Sequence, residues 1–160
     1  MWIPQGWLHD TKEGILVNES VELLEFKIGK QSLAFDVDAV EMVIEAPETT
    51  VVPGAPDFVR GVINLRGRIV TVIDLAMILE LDIGDREPDQ VLVLKVDGEE
   101  YGIPVHGVDE VFTIETSDIE TPVSRSEKYV NKVKGIIKRE DRLILYLDVN
   151  KILNIGEKEG

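Results

Sequence analysis

Cysteine is absent from all 160 residues, so a disulfide framework, a thiolate metal site and a cysteine nucleophile are all excluded. Positive charge is scarce: 17 Lys and Arg stand against 31 Asp and Glu, a formal net charge of -14. Such a chain repels phosphate backbones and anionic membrane surfaces, which disfavours nucleic-acid and lipid partners. No segment approaches the roughly 18 consecutive apolar residues of a membrane span. Residues 1–10 have neither the basic region nor the apolar run of a signal peptide. No serine sits in a Gly-x-Ser-x-Gly elbow, and Gly54, Gly61 and Gly67 are spaced unlike any nucleotide-binding fingerprint. Histidine occurs only at His9 and His106, and the commoner role for His106, at a strand end, is a surface or turn histidine. Asp36-x-Asp38 has no following Asp/Asn-Gly loop, so it reads as a pair of solvated acids at a strand end, not as a metal site. No pair of carboxylates stands apart from the other acids as a hydrolase pair would. The expectation is a protein without catalysis, metal or cofactor.

What is present is core material. Hydrophobic residues make up 44% and mean hydropathy is +0.02, enough for one ordered domain or two very small subdomains sharing a core. Residues 1–20, with Trp2 and Trp7, lack a clean period and read as a loosely ordered segment. From Val21 the chain alternates. Leu24, Phe26 and Ile28 lead to a Gly29-Lys30 turn, then Leu33, Phe35 and Val37. Val91 to Val96 leads to an Asp97-Gly98 turn, then Tyr101, Ile103 and Val105.

The two hairpins are copies, and more of the chain repeats with them. Phe26-Lys27-Ile28 matches Leu94-Lys95-Val96, and Val37, Val40 and Val43 then meet Val105, Val108 and Val111. Gly61-Val62-Ile63 matches Gly135-Ile136-Ile137, and Arg68, Asp74 and Ile78-Leu79 meet Arg142, Asp148 and Ile152-Leu153. The domain therefore spans residues 21–155 as two similar halves, about 21–86 and 87–155. Each half holds five short strands and one short helix, Leu75 to Leu79 and Val149 to Leu153. Five-stranded units of this length suggest small barrels, which hide strand edges. A unit this small has a marginal core alone, so the halves should pack on each other and leave a seam.

Three features suit binding. Pro53 to Gly61 reads as a connector with a helical turn starting at Pro56 and ending at Gly61. Leu65-Arg66-Gly67 is a tight turn between two strands that throws Arg66 outward, where its planar fork can grip a carboxylate. Val37, Val40 and Val43 recur every three residues, the spacing of a helical ridge, and Val108 and Val111 echo them. Two such stripes at a seam could wall a groove for an amphipathic helix.

At these residues the chain resembles the CheW family. Pro56-Asp57-Phe58-Val59-Arg60-Gly61-Val62-Ile63-Asn64-Leu65-Arg66-Gly67-Arg68-Ile69-Val70-Thr71-Val72-Ile73-Asp74-Leu75 is specific for it, and the resemblance runs from about Val21 to Leu153. It implies an all-β fold of two five-stranded SH3-like barrels with a few short helices. It also implies a non-catalytic chemotaxis adaptor in the cytoplasm, at receptor arrays. The implied partners are the cytoplasmic tip of a chemoreceptor and the regulatory domain of the chemotaxis histidine kinase. The receptor groove would involve Leu24, Val37, Val40, Val43 and Val108, and complex assembly would involve Asn64, Leu65, Arg66 and Gly67. Met42 stands where some relatives carry an acid that pairs with the arginine, and His106, after Pro104, replaces a frequent acid beside the groove. Two rival readings are a CheW-like regulatory domain of a larger kinase or receiver fusion and a small acid-dependent hydrolase. The start at Met1 and the Lys-Glu-Gly end favour a stand-alone chain.

Overall fold

A computed structural model describes residues 19–121 and 132–153; Trp2, Trp7 and His9 lie outside the described residues. Ten strands and two short helices follow in order. They are β1 (Ser20–Ile28), β2 (Gln31–Asp36), β3 (Val40–Glu45), β4 (Val59–Leu65), β5 (Arg68–Ile73), α1 (Leu75–Leu79), β6 (Gln90–Val96), β7 (Glu99–Val105), β8 (Gly107–Glu115), β9 (Val133–Arg139), β10 (Arg142–Leu147) and α2 (Val149–Leu153). The fold is all-β, as expected, and both helices span the residues the sequence assigns to them.

Local chemistry explains the repeated landmarks. Asp74 and Asp148 are helix N-caps: their Oδ1 atoms accept from the N–H groups of Met77 (3.0 Å) and Lys151 (3.2 Å). Their own N–H groups donate to Phe58 O (2.7 Å) and Lys132 O (2.8 Å), tying each helix to the segment before β4 or β9. Gly61 and Gly135 recur because a crossing segment passes over each. Thr50 bridges to Val62, and Glu120 bridges to Ile136, through paired backbone hydrogen bonds of 2.8–2.9 Å. A Cβ on Gly61 would overlap the carbonyl of Thr50, and one on Gly135 would overlap the Ile119 side chain.

The strands form two five-stranded sheets, ordered β8-β1-β2-β10-β9 and β3-β6-β7-β5-β4. Neither sheet is one half of the sequence. Each half supplies five strands, but the β1–β2 hairpin of the first half sits with β8, β9 and β10 of the second. Reciprocally, the β6–β7 hairpin sits with β3, β4 and β5. The joins are parallel pairings of β10 with β2 and of β5 with β7. The expectation that each half forms a sheet by itself is thereby corrected. The hairpins are exchanged, and alternation alone does not distinguish a strand's own half from its copy.

Three apolar clusters follow. One lies within each sheet's own curvature: Leu23, Ala34, Phe112, Ile137, Ile144 and Tyr146 in the first, Ile63, Leu65, Val70, Val72, Val91 and Val93 in the second. The largest draws on both sheets and both helices, with Phe26 and Phe35 stacked at 5.2 Å beside Leu79, Leu92, Leu94, Ile103 and Ile152. The seam expected between the halves is thus filled by the main core.

Two local expectations are corrected. Residues 56–59 form a β-turn closed by the Val59 N–H donating to Pro56 O (2.9 Å), and Gly61 lies inside β4 with φ +147. The valine ridge is also not helical. Val37 is in a single 3₁₀ turn, Val40 and Val43 are on β3, and Val108 and Val111 are on β8. A bulge between Val40 and Met42 alters the facing of β3, so a spacing of three arises without a helix.

Candidate functional site

The β4–β5 hairpin presents its tip as a rigid mount. Arg66 and Gly67 both take positive φ, 55 and 87, the conformation of a two-residue hairpin turn that matches strand twist. Asn64 Oδ1 accepts from the Gly67 N–H at 2.8 Å and closes the turn from its side. Leu65, 8% exposed, anchors the hairpin in the core of its sheet. Three of the four motif residues therefore hold the turn, and the fourth, Arg66, is exposed. Among the described residues no hydrogen bond or ion pair engages its guanidinium.

The second half has the same turn with the opposite chemistry. Glu140 has φ 53, but its carboxylate accepts from Arg142 Nη1 at 3.1 Å and is satisfied within its own hairpin. Met42, on β3, packs on the core of its sheet. Glu41, beside it, turns to Arg68 at 3.8 Å, and Arg68 also pairs with Glu100 at 3.2 Å. Arg68 is engaged along the sheet, while Arg66 makes no such pair among the described residues. Glu41 raises the Glu100 carboxyl above its ordinary range by hydrogen bonding to it, and burial adds to the shift. Among the described residues, one buried oxygen of each acid, Glu41 Oε1 and Glu100 Oε2, accepts no hydrogen bond.

Arg142, the repeat of Arg68, makes the tighter pair, which alternation in the sequence did not reveal. Its Nε and Nη2 donate to the two oxygens of Glu25 at 2.6 and 2.9 Å, and Glu25 is 0% exposed. The Arg142 hydrogen bond holds the Glu25 carboxyl below its ordinary range, against the opposing effect of burial. The unfolded chain then binds more protons than the folded one in this window, so stability rises with pH. The Glu25 contribution is complete above the ordinary value of 4.5 and is lost as pH falls through the lower folded value. We expect Glu25→Gln to cost about 2 kcal/mol at neutral pH and to flatten this acid limb. Urea unfolding of both proteins from pH 7 down to about pH 3.5 measures it. Glu100 has the opposite sign: its contribution is complete below 4.5 and is lost as pH rises through its raised folded value.

The apolar candidates are only partly gathered. Leu24 is buried in the central core, and Val37, Val40 and Val108 lie half-buried against its rim. Val108 faces Phe26 across the β1–β8 pairing. Val43 is not in that cluster; it is 37% exposed on the edge strand β3. Asp36 is no simple solvated acid: it accepts from the Tyr146 hydroxyl at 2.6 Å and from Lys134 Nζ at 3.2 Å. Burial, reinforced by that carboxylate, pushes the Tyr146 phenol up. His106, expected at a surface or turn, is buried with both ring nitrogens engaged. Among the described residues no group of three or more acids or histidines could hold a metal, and no helix is long and apolar enough to cross a membrane.

Comparison with known proteins places this geometry. Residues 22–157 match the family model described as the CheW-like domain. The chain is 43% identical over 140 residues to the chemotaxis protein CheW of Thermotoga maritima, covering 87% of this chain and 92% of that one. It is 27% identical over 147 residues to the CheW of Rhizobium meliloti, covering 91% and 95%. The crystal structure of the scaffolding protein TtCheW from Thermoanaerobacter tengcongensis superposes with a TM-score of 0.71 at 28% identity, covering 81% of this chain and 90% of that one.

Proposed function

The chain belongs to the CheW family, and from that premise we propose that it works as a chemotaxis coupling protein that holds a chemoreceptor and a histidine kinase together. The observation that carries the site assignment is the exposed Arg66, without a partner among the described residues, on a turn locked by Asn64, Leu65 and Gly67. A guanidinium fixed in this way loses little freedom on binding, and its fork matches a partner carboxylate. We assign this tip to assembly with the regulatory domain of the kinase. The apolar rim of Leu24, Val37, Val40 and Val108, extended by the exposed Val43, is assigned to the cytoplasmic tip of the receptor.

The two surfaces act through held geometry. Each partner raises the effective concentration of the other, and a change in one alters the other through the rigid body between them. No step in this mechanism requires a nucleophile, metal or cofactor. The site of action is the cytoplasmic face of receptor arrays.

Arg66→Glu should weaken capture of the kinase regulatory domain by at least about tenfold and leave the circular dichroism spectrum unchanged. Val108→Asp should weaken capture of the receptor tip and spare the kinase. Pull-downs with each partner separately read the two effects. Full kinase binding by folded Arg66→Glu would overturn the tip assignment.

A further inference from the structure

His106 is the only residue between β7 and β8, so the chain changes sheets at this position. Its side chain is buried, and its ring bridges two other segments. The Gly29 N–H of the β1–β2 turn donates to Nδ1 at 2.8 Å, and Nε2 lies 2.7 Å from the carbonyl oxygen of Arg86. A carbonyl can only accept, so Nε2 carries the proton and Nδ1 is bare. One neutral tautomer alone satisfies both contacts. Backbone bonds complete the junction: the His106 N–H donates to Lys27 O at 2.8 Å, and Arg86 Nη2 donates to His106 O at 3.3 Å. Residues 80–89, which connect the two halves, are held against the β1–β2 turn at this point. Gly29 has φ +61, and a Cβ there would overlap the carbonyl of Asp82.

We propose that His106 is a proton-sensitive pin between the two halves. A proton added at Nδ1 sets two donors, Nδ1–H and the Gly29 N–H, face to face. The ring must then leave its socket, and residues 82–86 come free of the β1–β2 turn. A cavity of about 540 Å³ adjoins the ring, lined by Gly29, Lys30, Asp82, Ile83, Asp85 and Arg86. The charged groups around it favour the exit. Lys30 from the turn and Arg86 from the connector oppose a cation in the socket. Asp82 and Asp85 on the cavity wall receive it. Arg86 also pairs with Asp89 at 3.2 Å, and nearby Lys27 pairs with Asp109 at 2.9 Å.

Nitrogen NMR and amide exchange on the full chain, between about pH 8 and pH 5, test the pin. At the upper end a single Nε2–H tautomer is expected. As the ring gains its second proton, exchange at Gly29 and at residues 82–86 should rise about tenfold relative to His106→Gln. The glutamine can accept and donate at every pH, so its protection factors, with the intrinsic pH dependence of exchange divided out, should be flat. The pin is overturned if Gly29 stays protected while the ring titrates, if the ring stays neutral throughout, or if the variant opens equally. Should the variant fail to fold, the wild-type series decides alone, because ring and Gly29 amide are both read in it.

Discussion

Gly61→Ala is expected to cost about 4 kcal/mol and to lower the melting temperature by roughly 15 °C. Two independent penalties coincide at this position. The backbone has φ +147, a conformation L-residues rarely adopt, and the added methyl meets the Thr50 carbonyl, a backbone atom fixed by its paired hydrogen bonds to Val62. The crossing segment would have to lift away and leave those polar groups unpaired. Gly135→Ala supplies the control from within the same chain. Its methyl meets Cγ2 of the β-branched Ile119 and comes within 3.1 Å of the Glu120 carbonyl, but its φ is not in the positive region, so the backbone penalty is absent. That variant, with one penalty in place of two, should lose about 2 kcal/mol. Thermal and urea unfolding of the two variants measure the difference, and equal losses would show that the Thr50 crossing is not the constraint.

Phe26→Ala should cost about 4 kcal/mol, the usual range for removing a buried aromatic ring. Phe26 is 0% exposed and stacks on Phe35 with an interplanar angle of 18°. The more telling result is where the loss is felt. Phe26 belongs to the sheet that contains β8, β9 and β10, yet its cluster includes Leu92, Leu94 and Ile103 of the other sheet. Amide exchange should therefore accelerate by a similar factor in β2 and in β7, within one unfolding transition. Loss of protection confined to one sheet would mean that the two sheets fold independently, contrary to a shared core.

Much of the fold was legible because its signals are local. Gly29-Lys30 and Asp97-Gly98 mark turns by their own backbone preferences, and alternation on either side fixes which face is buried. Asp74 and Asp148 announce helices because a carboxylate caps the N–H groups three residues on. The valine spacing misled for the converse reason: a bulge on β3 shifts register without leaving a mark in composition. Arg66 was legible as a residue thrown out by its turn. That Glu41 and Glu100 pair with Arg68 was not, because this depended on where they settle once the strands pair. The Glu25–Arg142 pair was missed altogether, since 117 residues separate its members.

By itself the sequence determined the strands, the hairpins, the two short helices, the duplication and the family, all written in spacings of a few residues or in matching landmarks. Only the tertiary structure decided that β2 pairs with β10 and β5 with β7, so that each sheet takes its central hairpin from the other half. The physical reason is that the repeated halves offer near-identical apolar faces. Alternation says which side of a strand must be covered but not which copy covers it. That choice is made by contacts far apart in the chain, and the same long-range pairing brings Glu41 and Glu100 to Arg68.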